Sequence, residues 1–123
     1  MNNNRPVNLN LAAFRFPVTS ISSILHRITG VLLFIAIPFC LWALQQSLTP
    51  NGFNQLQSIL SGVIAKLTLW LILSMLSYHI IAGIRHLLMD AGIGESLEGG
   101  RFGATAVIAL GVLVAIILGV WIW

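Results

Sequence analysis

Charge is the scarcest thing in this sequence. Of its 123 residues, six are Lys or Arg and three are Asp or Glu, 7% in all, against about 25% in an ordinary soluble domain. So few charged groups cannot keep a globule of this length wetted, which excludes a soluble enzyme. The net charge of +3 reflects missing carboxylates rather than a basic patch, so nucleic acid is excluded as a partner too. No Asp or Glu lies between Ile28 and Leu88. A coupled transporter needs an ionisable group inside its spans, and that class is disfavoured in turn. Cysteine occurs once, as Cys40, so there is no internal disulfide and no cysteine-based metal or iron–sulfur site. Among Pro38, Phe39, Leu41 and Trp42, this cysteine reads as a small buried apolar residue. Repeats and low-complexity tracts are absent. The first long apolar run starts too late and is too long for a cleaved secretion signal, and the short Asn-rich start is unlike a mitochondrial transit peptide. A bacterial chain in the cytoplasmic membrane is expected.

What the sequence has in abundance is apolar surface: 58% hydrophobic residues and a mean hydropathy of +0.97. Three uncharged apolar runs cover 28–48, 67–84 and 102–123. Each is near the ~20 residues a helix needs to cross ~30 Å of hydrocarbon. None alternates as a strand would, and only helices or closed barrels satisfy their backbone in lipid. The sequence therefore predicts an all-α membrane protein, a single transmembrane domain over 1–123. Its three helices are expected at roughly 22–48, 60–89 and 103–123, after a short N-terminal segment, 1–21. Lys66 then snorkels near the start of the second helix. Pro38 is expected to kink the first. Thr49-Pro50-Asn51-Gly52 reads as a turn within a polar loop over 45–58, and residues 90–101 as a second, glycine-rich loop.

Arg5, Arg15 and Arg27 precede the first helix, and Arg85 and Arg101 flank the second loop. The positive-inside rule puts the N-terminus and the 90–101 loop in the cytoplasm and the C-terminus in the periplasm, with Trp121 and Trp123 as interface anchors. The first helix then runs outward and the second returns. His26 and Arg27 come to the depth of Arg85 and His86, so three histidines and two arginines converge near the cytoplasmic interface.

His79 is the most informative residue. It precedes Arg85 by six positions, roughly 9 Å deeper in the membrane at ~1.5 Å per residue. An ionisable group at that depth faces a cavity, a partner or a cofactor. Gly83 and His86 follow on the same helical face. The missing side chain at Gly83 leaves room for a flat macrocycle, and neutral imidazole ligates haem iron. A histidine hydrogen-bonded to a neighbouring helix satisfies the same pattern, and spacing alone leaves both readings open.

Ser23, Arg27 and Gly30 share one face of the first helix, with His26 beside it. A hydroxyl and a guanidinium on one stripe can hold a quinone carbonyl or an anion. The plainer readings are a capping or packing serine and a topogenic arginine. Arg85 and Asp90 read either as interface charges or as partners of haem propionates or a docked subunit. Gly111, Ala115 and Gly119 form a small-residue packing stripe, and the Tyr78 phenol needs a partner in lipid.

Two segments resemble a known family. Arg5-Pro6-Val7 followed by Ser23-x-x-His26-Arg27-x-Thr29-Gly30 is similar to the first signature of the cytochrome b subunits of succinate dehydrogenase. His79-x-x-x-Gly83-Ile84-Arg85-His86-x-x-Met89-Asp90-x-Gly92 is similar to their second. The pair is highly specific, and no signature position departs from the pattern. The likeness covers nearly the whole chain, although the third helix and first loop add little to it. The resemblance implies half of a heterodimeric haem-binding helical bundle. The other half is a second three-helix membrane anchor subunit, and one haem b is shared between the two. It implies His79 as the axial ligand from this chain, and Ser23 and Arg27 as quinone-binding residues, with ubiquinone the expected quinone. His26, Arg27, Arg85 and His86 would face haem propionates or stand behind the ligand. A flavoprotein and an iron–sulfur subunit would dock on the cytoplasmic face, and this subunit would catalyse nothing alone. A haem-free anchor or assembly subunit is the rival reading.

Overall fold

The computed structural model describes residues 16–123, so Arg5, Arg15 and most of the expected N-terminal segment lie outside the described residues. Four helices follow one another: α1 (Val18–Ser47), α2 (Pro50–Leu60), α3 (Val63–Asp90) and α4 (Leu97–Ile122). There is no strand among the described residues. Helices α1, α3 and α4 are each long and apolar enough to cross a membrane, and the expected all-helical membrane bundle with three spans is what the chain forms.

The helices begin earlier than the apolar runs suggest, and the reason is local capping. Pro17 is extended, and its carbonyl accepts the N–H groups of Ser20 and Ile21 at 2.9 and 3.2 Å. The stretch 45–58, expected to be a loop, is mostly helical. Gln45–Ser47 completes α1, and Thr49-Pro50 opens α2 instead of a turn. Thr49 Oγ1 accepts the Gly52 N–H at 3.2 Å, and proline suits the first helical position because its missing N–H would be unpaired there anyway. Gly52 is buried against the end of α1, where a Cβ would collide with the Gln46 carbonyl. Lys66 falls in the first turn of α3, its N–H bonded to Gly62 O at 2.9 Å. Helix α1 runs continuously through Pro38.

The second expected loop shrinks to residues 91–96. Helix α3 ends in a Schellman turn: Gly92 takes φ 82°, its N–H bonds Met89 O at 2.9 Å, and the Ile93 N–H bonds Leu88 O at 2.9 Å. Ser96 then caps α4 by accepting the Gly99 N–H at 3.0 Å, with Glu98 in the positive first turn.

Helix α4 packs on α3 along its small residues, as the stripe predicts. Gly111 is buried under the Tyr78 ring, and a Cβ there would lie 2.7 Å from Tyr78 Cδ2. The Trp70 indole N–H reaches past Gly119 to donate to Ala115 O at 2.8 Å. The Tyr78 hydroxyl crosses to α1, where fully buried Ser22 presents its carbonyl at 3.0 Å and its Oγ at 3.3 Å. That satisfies the phenol in lipid. Gly111→Ala should force these helices apart at a cost of about 1–3 kcal/mol, as overpacking does elsewhere. A lower thermal midpoint of the assembled complex would register it.

Candidate functional site

The antiparallel run of α1 and α3 brings all three histidines together, as expected. The His26 and His79 rings stack, with centroids 4.1 Å apart and planes 16° from parallel. His86 lies against the other side of His26, centroids 5.1 Å apart and planes tilted by 48°. Glycines make the space. A Cβ at Gly30 would stand 3.0 Å from His79 Cε1, and one at Gly83 would stand 3.5 Å from His26 Nε2. The gap at Gly83, read from sequence as room for a macrocycle, is thus occupied by His26. The gap at Gly30 houses the His79 ring.

His79 is held by one nitrogen. Its Nδ1 lies 3.1 Å from His26 O and 3.1 Å from Thr29 Oγ1, while the Thr29 hydroxyl donates to the same His26 O at 2.9 Å. A carbonyl cannot donate, so the Nδ1 contact to His26 O requires a proton on Nδ1. With its own hydrogen committed to that carbonyl, Thr29 Oγ1 accepts from Nδ1–H as well. The proton is therefore on Nδ1, and the Nε2 lone pair is left free in the ring plane. A hydrogen bond from the far ring nitrogen of a metal-ligating histidine fixes its tautomer in this way. The stacked His26 ring covers a face of the imidazole, and no hydrogen bond reaches Nε2 among the described residues.

His79 sits where two open hollows of about 470 and 480 Å³ meet, both also lined by Gly30 and Phe34. The first continues along Ile37, Cys40 and Leu76, and the second along His26, Arg27 and Val31. Phe34 is 73% exposed. Cys40 is also exposed, against the expectation of burial, on the open hollow that α1 shares with Ile72 and Leu76 of α3. The result is a long, mostly apolar groove lined on its polar stretch by His26, His79 and Arg27.

These residues fit an iron macrocycle. Such a group brings its equatorial nitrogens with it and asks the protein for an axial nitrogen and an apolar, flat-walled site. A bare metal ion would need more: among the described residues no group of three or more His, Cys, Asp or Glu could hold one. His26 would not hold the same group beside His79 in this arrangement, because the two rings lie face to face.

Of the other expected residues, Ser23 and Arg27 stay one turn apart near the start of α1. Arg27 is exposed on the groove, and Ser23 is half-buried with no side-chain hydrogen bond among the described residues. Arg85 does not converge with them. At six positions from His79 it points about 120° around α3, and it is buried against α4 at 8% exposure. Its Nη2 donates to Gly100 O at 3.1 Å, Nε is buried without a partner, and Gly103 leaves space for it. This position suits a helix-to-helix tie better than a propionate contact in the histidine groove. His86 touches His26 and not His79. Sequence reasoning missed Ser22, which anchors Tyr78, and Thr29, which anchors His79. Thr29 stood inside the first signature, one turn after His26, and that spacing was the available signal.

Comparison with known proteins gives the same direction. The family described as succinate dehydrogenase/fumarate reductase transmembrane subunit matches residues 1–118. The succinate dehydrogenase cytochrome b556 subunit of Coxiella burnetii is 42% identical, with all of both chains covered. That of Paracoccus denitrificans is 35% identical over 93% of this chain and 88% of its own. The cytochrome b560 subunit of Reclinomonas americana is 32% identical over 99% of this chain and 88% of its own.

Proposed function

The chain belongs to the succinate dehydrogenase/fumarate reductase transmembrane subunit family, and on that footing we propose that it is the membrane-anchor cytochrome b subunit of a succinate:quinone oxidoreductase. It is a multi-pass membrane protein and a subunit of an enzyme complex that is not catalytic alone. In this reading His79 would hold one haem b, against a second three-helix anchor subunit that would supply the other protein ligand. The observation that carries the reading is the pinned Nδ1–H of His79, which leaves Nε2 free on a residue that lines an open apolar groove. The haem, when bound, supplies a one-electron carrier within the membrane. The exposed α1 face around Phe34 is the side for the second anchor subunit, because a macrocycle bound at Nε2 still needs a second wall.

Ser23 and Arg27 serve the quinone. Electrons from succinate, oxidised at the flavoprotein, pass through the iron–sulfur subunit and reach a quinone bound where that subunit meets this chain. Arg27 offers its guanidinium to the oxygen on which negative charge develops, and Ser23 donates its hydroxyl to a quinone carbonyl. Two protons from cytoplasmic water complete the quinol. The purified complex should show a Soret band and b-type α absorption. A haem-free anchor or assembly subunit would show neither.

The N-terminus and the α3–α4 turn face the cytoplasm in this reading, at an inner membrane. Position 95 and position 54 on α2 are both exposed. In a Cys40→Ser background, an impermeant thiol reagent applied to spheroplasts should label Asn54→Cys and spare Glu95→Cys. The reverse labelling would invert the topology and move the docking face of the soluble subunits.

A further inference from the structure

We propose that Thr29 is a positioning residue for the His79 imidazole, and that its hydroxyl tunes the ligand strength of that ring. The inference rests on the reading of His79 as a haem ligand. Thr29 is nearly buried, at 9% exposure, on the α1 turn that faces α3. Its hydroxyl donates back along α1 to His26 O at 2.9 Å, and this aims its oxygen lone pairs away from its own helix. Nδ1 of His79 lies 3.1 Å from that oxygen and 3.1 Å from the carbonyl. One N–H is therefore shared between two acceptors that are themselves joined by a hydrogen bond.

The arrangement does three things at once. It fixes which nitrogen carries the proton, as argued above. It fixes ring rotation, because a ring turned about its Cβ–Cγ bond would lose both acceptors, and Gly30 leaves only 3.0 Å between a hypothetical Cβ and Cε1. It also draws the Nδ1 proton toward oxygen, which makes Nε2 a stronger donor. A stronger donor favours the oxidised, more positive iron over the reduced one. The backbone acceptor cannot be altered by the side chain at position 26. The hydroxyl at position 29 is the part of the device that sequence controls.

The test uses the intact purified complex. Thr29→Val keeps the shape and removes the hydroxyl, Thr29→Ala removes it without risk of overpacking, and Thr29→Ser keeps it. The readouts are the redox midpoint of the b haem and its low-spin resonance signature, with His79→Ala as the reference. Val and Ala should each weaken the preference for the oxidised state about twofold to threefold. At ~59 mV per tenfold for one electron, that is an upward shift of roughly 18–28 mV. The Ser variant should stay at the wild-type midpoint. An unchanged midpoint in both Val and Ala, with low-spin haem lost in His79→Ala, would overturn the role of Thr29 and leave the ligand reading standing. Low-spin haem persisting unaltered in His79→Ala would overturn both. Loss of assembled complex in Ser as well as in Val and Ala would mark position 29 as packing and overturn the proposal.

Discussion

His79→Ala should abolish the six-coordinate low-spin b spectrum of the complex. The expectation rests on where the proton sits. With Nδ1–H committed to His26 O and Thr29 Oγ1, Nε2 is the nitrogen available to a metal, on a residue that lines the groove. His26 offers no ready replacement, because its ring lies flat against the position His79 vacates and its Nε2 is near Gly83 on α3. Alanine there removes the donor and leaves the His26 carbonyl and the Thr29 hydroxyl bonded only to each other and to their own helix. His86→Ala makes the contrast. His86 touches only His26 among the histidines, so its loss should leave six-coordinate haem largely intact. The two spectra, recorded on complexes of matched subunit content, separate the roles. An unchanged low-spin spectrum in His79→Ala would return that residue to a purely structural part.

Much of this was open to sequence reasoning, and the failures have physical causes. The three spans were legible because a run of about 20 apolar residues has few alternatives in lipid. Histidine convergence was legible because antiparallel helices of known rise align His26 with the end of α3. Helix α2 was hidden because Thr-Pro-Asn-Gly serves equally as a turn and as a helix start; only the Thr49 cap and the close approach of Gly52 to Gln46 decide between them. The start of α4 was hidden by Gly99 and Gly100, poor helix formers that Ser96 and Glu98 offset. Arg85 was assigned to the histidine cluster by its depth, yet its azimuth on α3 aims it at the Gly100 carbonyl. Gly30 was placed on the face of Ser23 and Arg27, and the structure uses it as the seat of His79. Thr29 was passed over despite its place in the first signature, because its contact with His79 is a cross-helix distance that no single helix encodes.

Arg27→Leu should slow succinate–quinone turnover by about 100-fold or more, the usual scale for removing a donor aimed at developing charge in a dry site. Ser23→Ala should cost roughly twofold to tenfold, since a neutral hydrogen bond is worth about 0.5–1.5 kcal/mol. The position of each side chain argues against a folding explanation. Arg27 is exposed and bonded to no other described side chain, and Ser23 makes no side-chain hydrogen bond among the described residues. Neither removal breaks a hydrogen bond between helices among the described residues. Arg85→Leu supplies the opposite case: it deletes a tie between α3 and α4 from a residue only 8% exposed. That variant should lower the amount of assembled complex, and with it succinate oxidation by an artificial dye fed from the soluble subunits and by quinone in proportion. In Arg27→Leu and Ser23→Ala the dye reaction should persist while the quinone reaction falls. The pair of assays thus reads whether a residue acts on the acceptor or on the scaffold. If both α1 variants lost dye and quinone activity together, as Arg85→Leu should, the stripe at the start of α1 would be an anchor and the quinone would bind elsewhere.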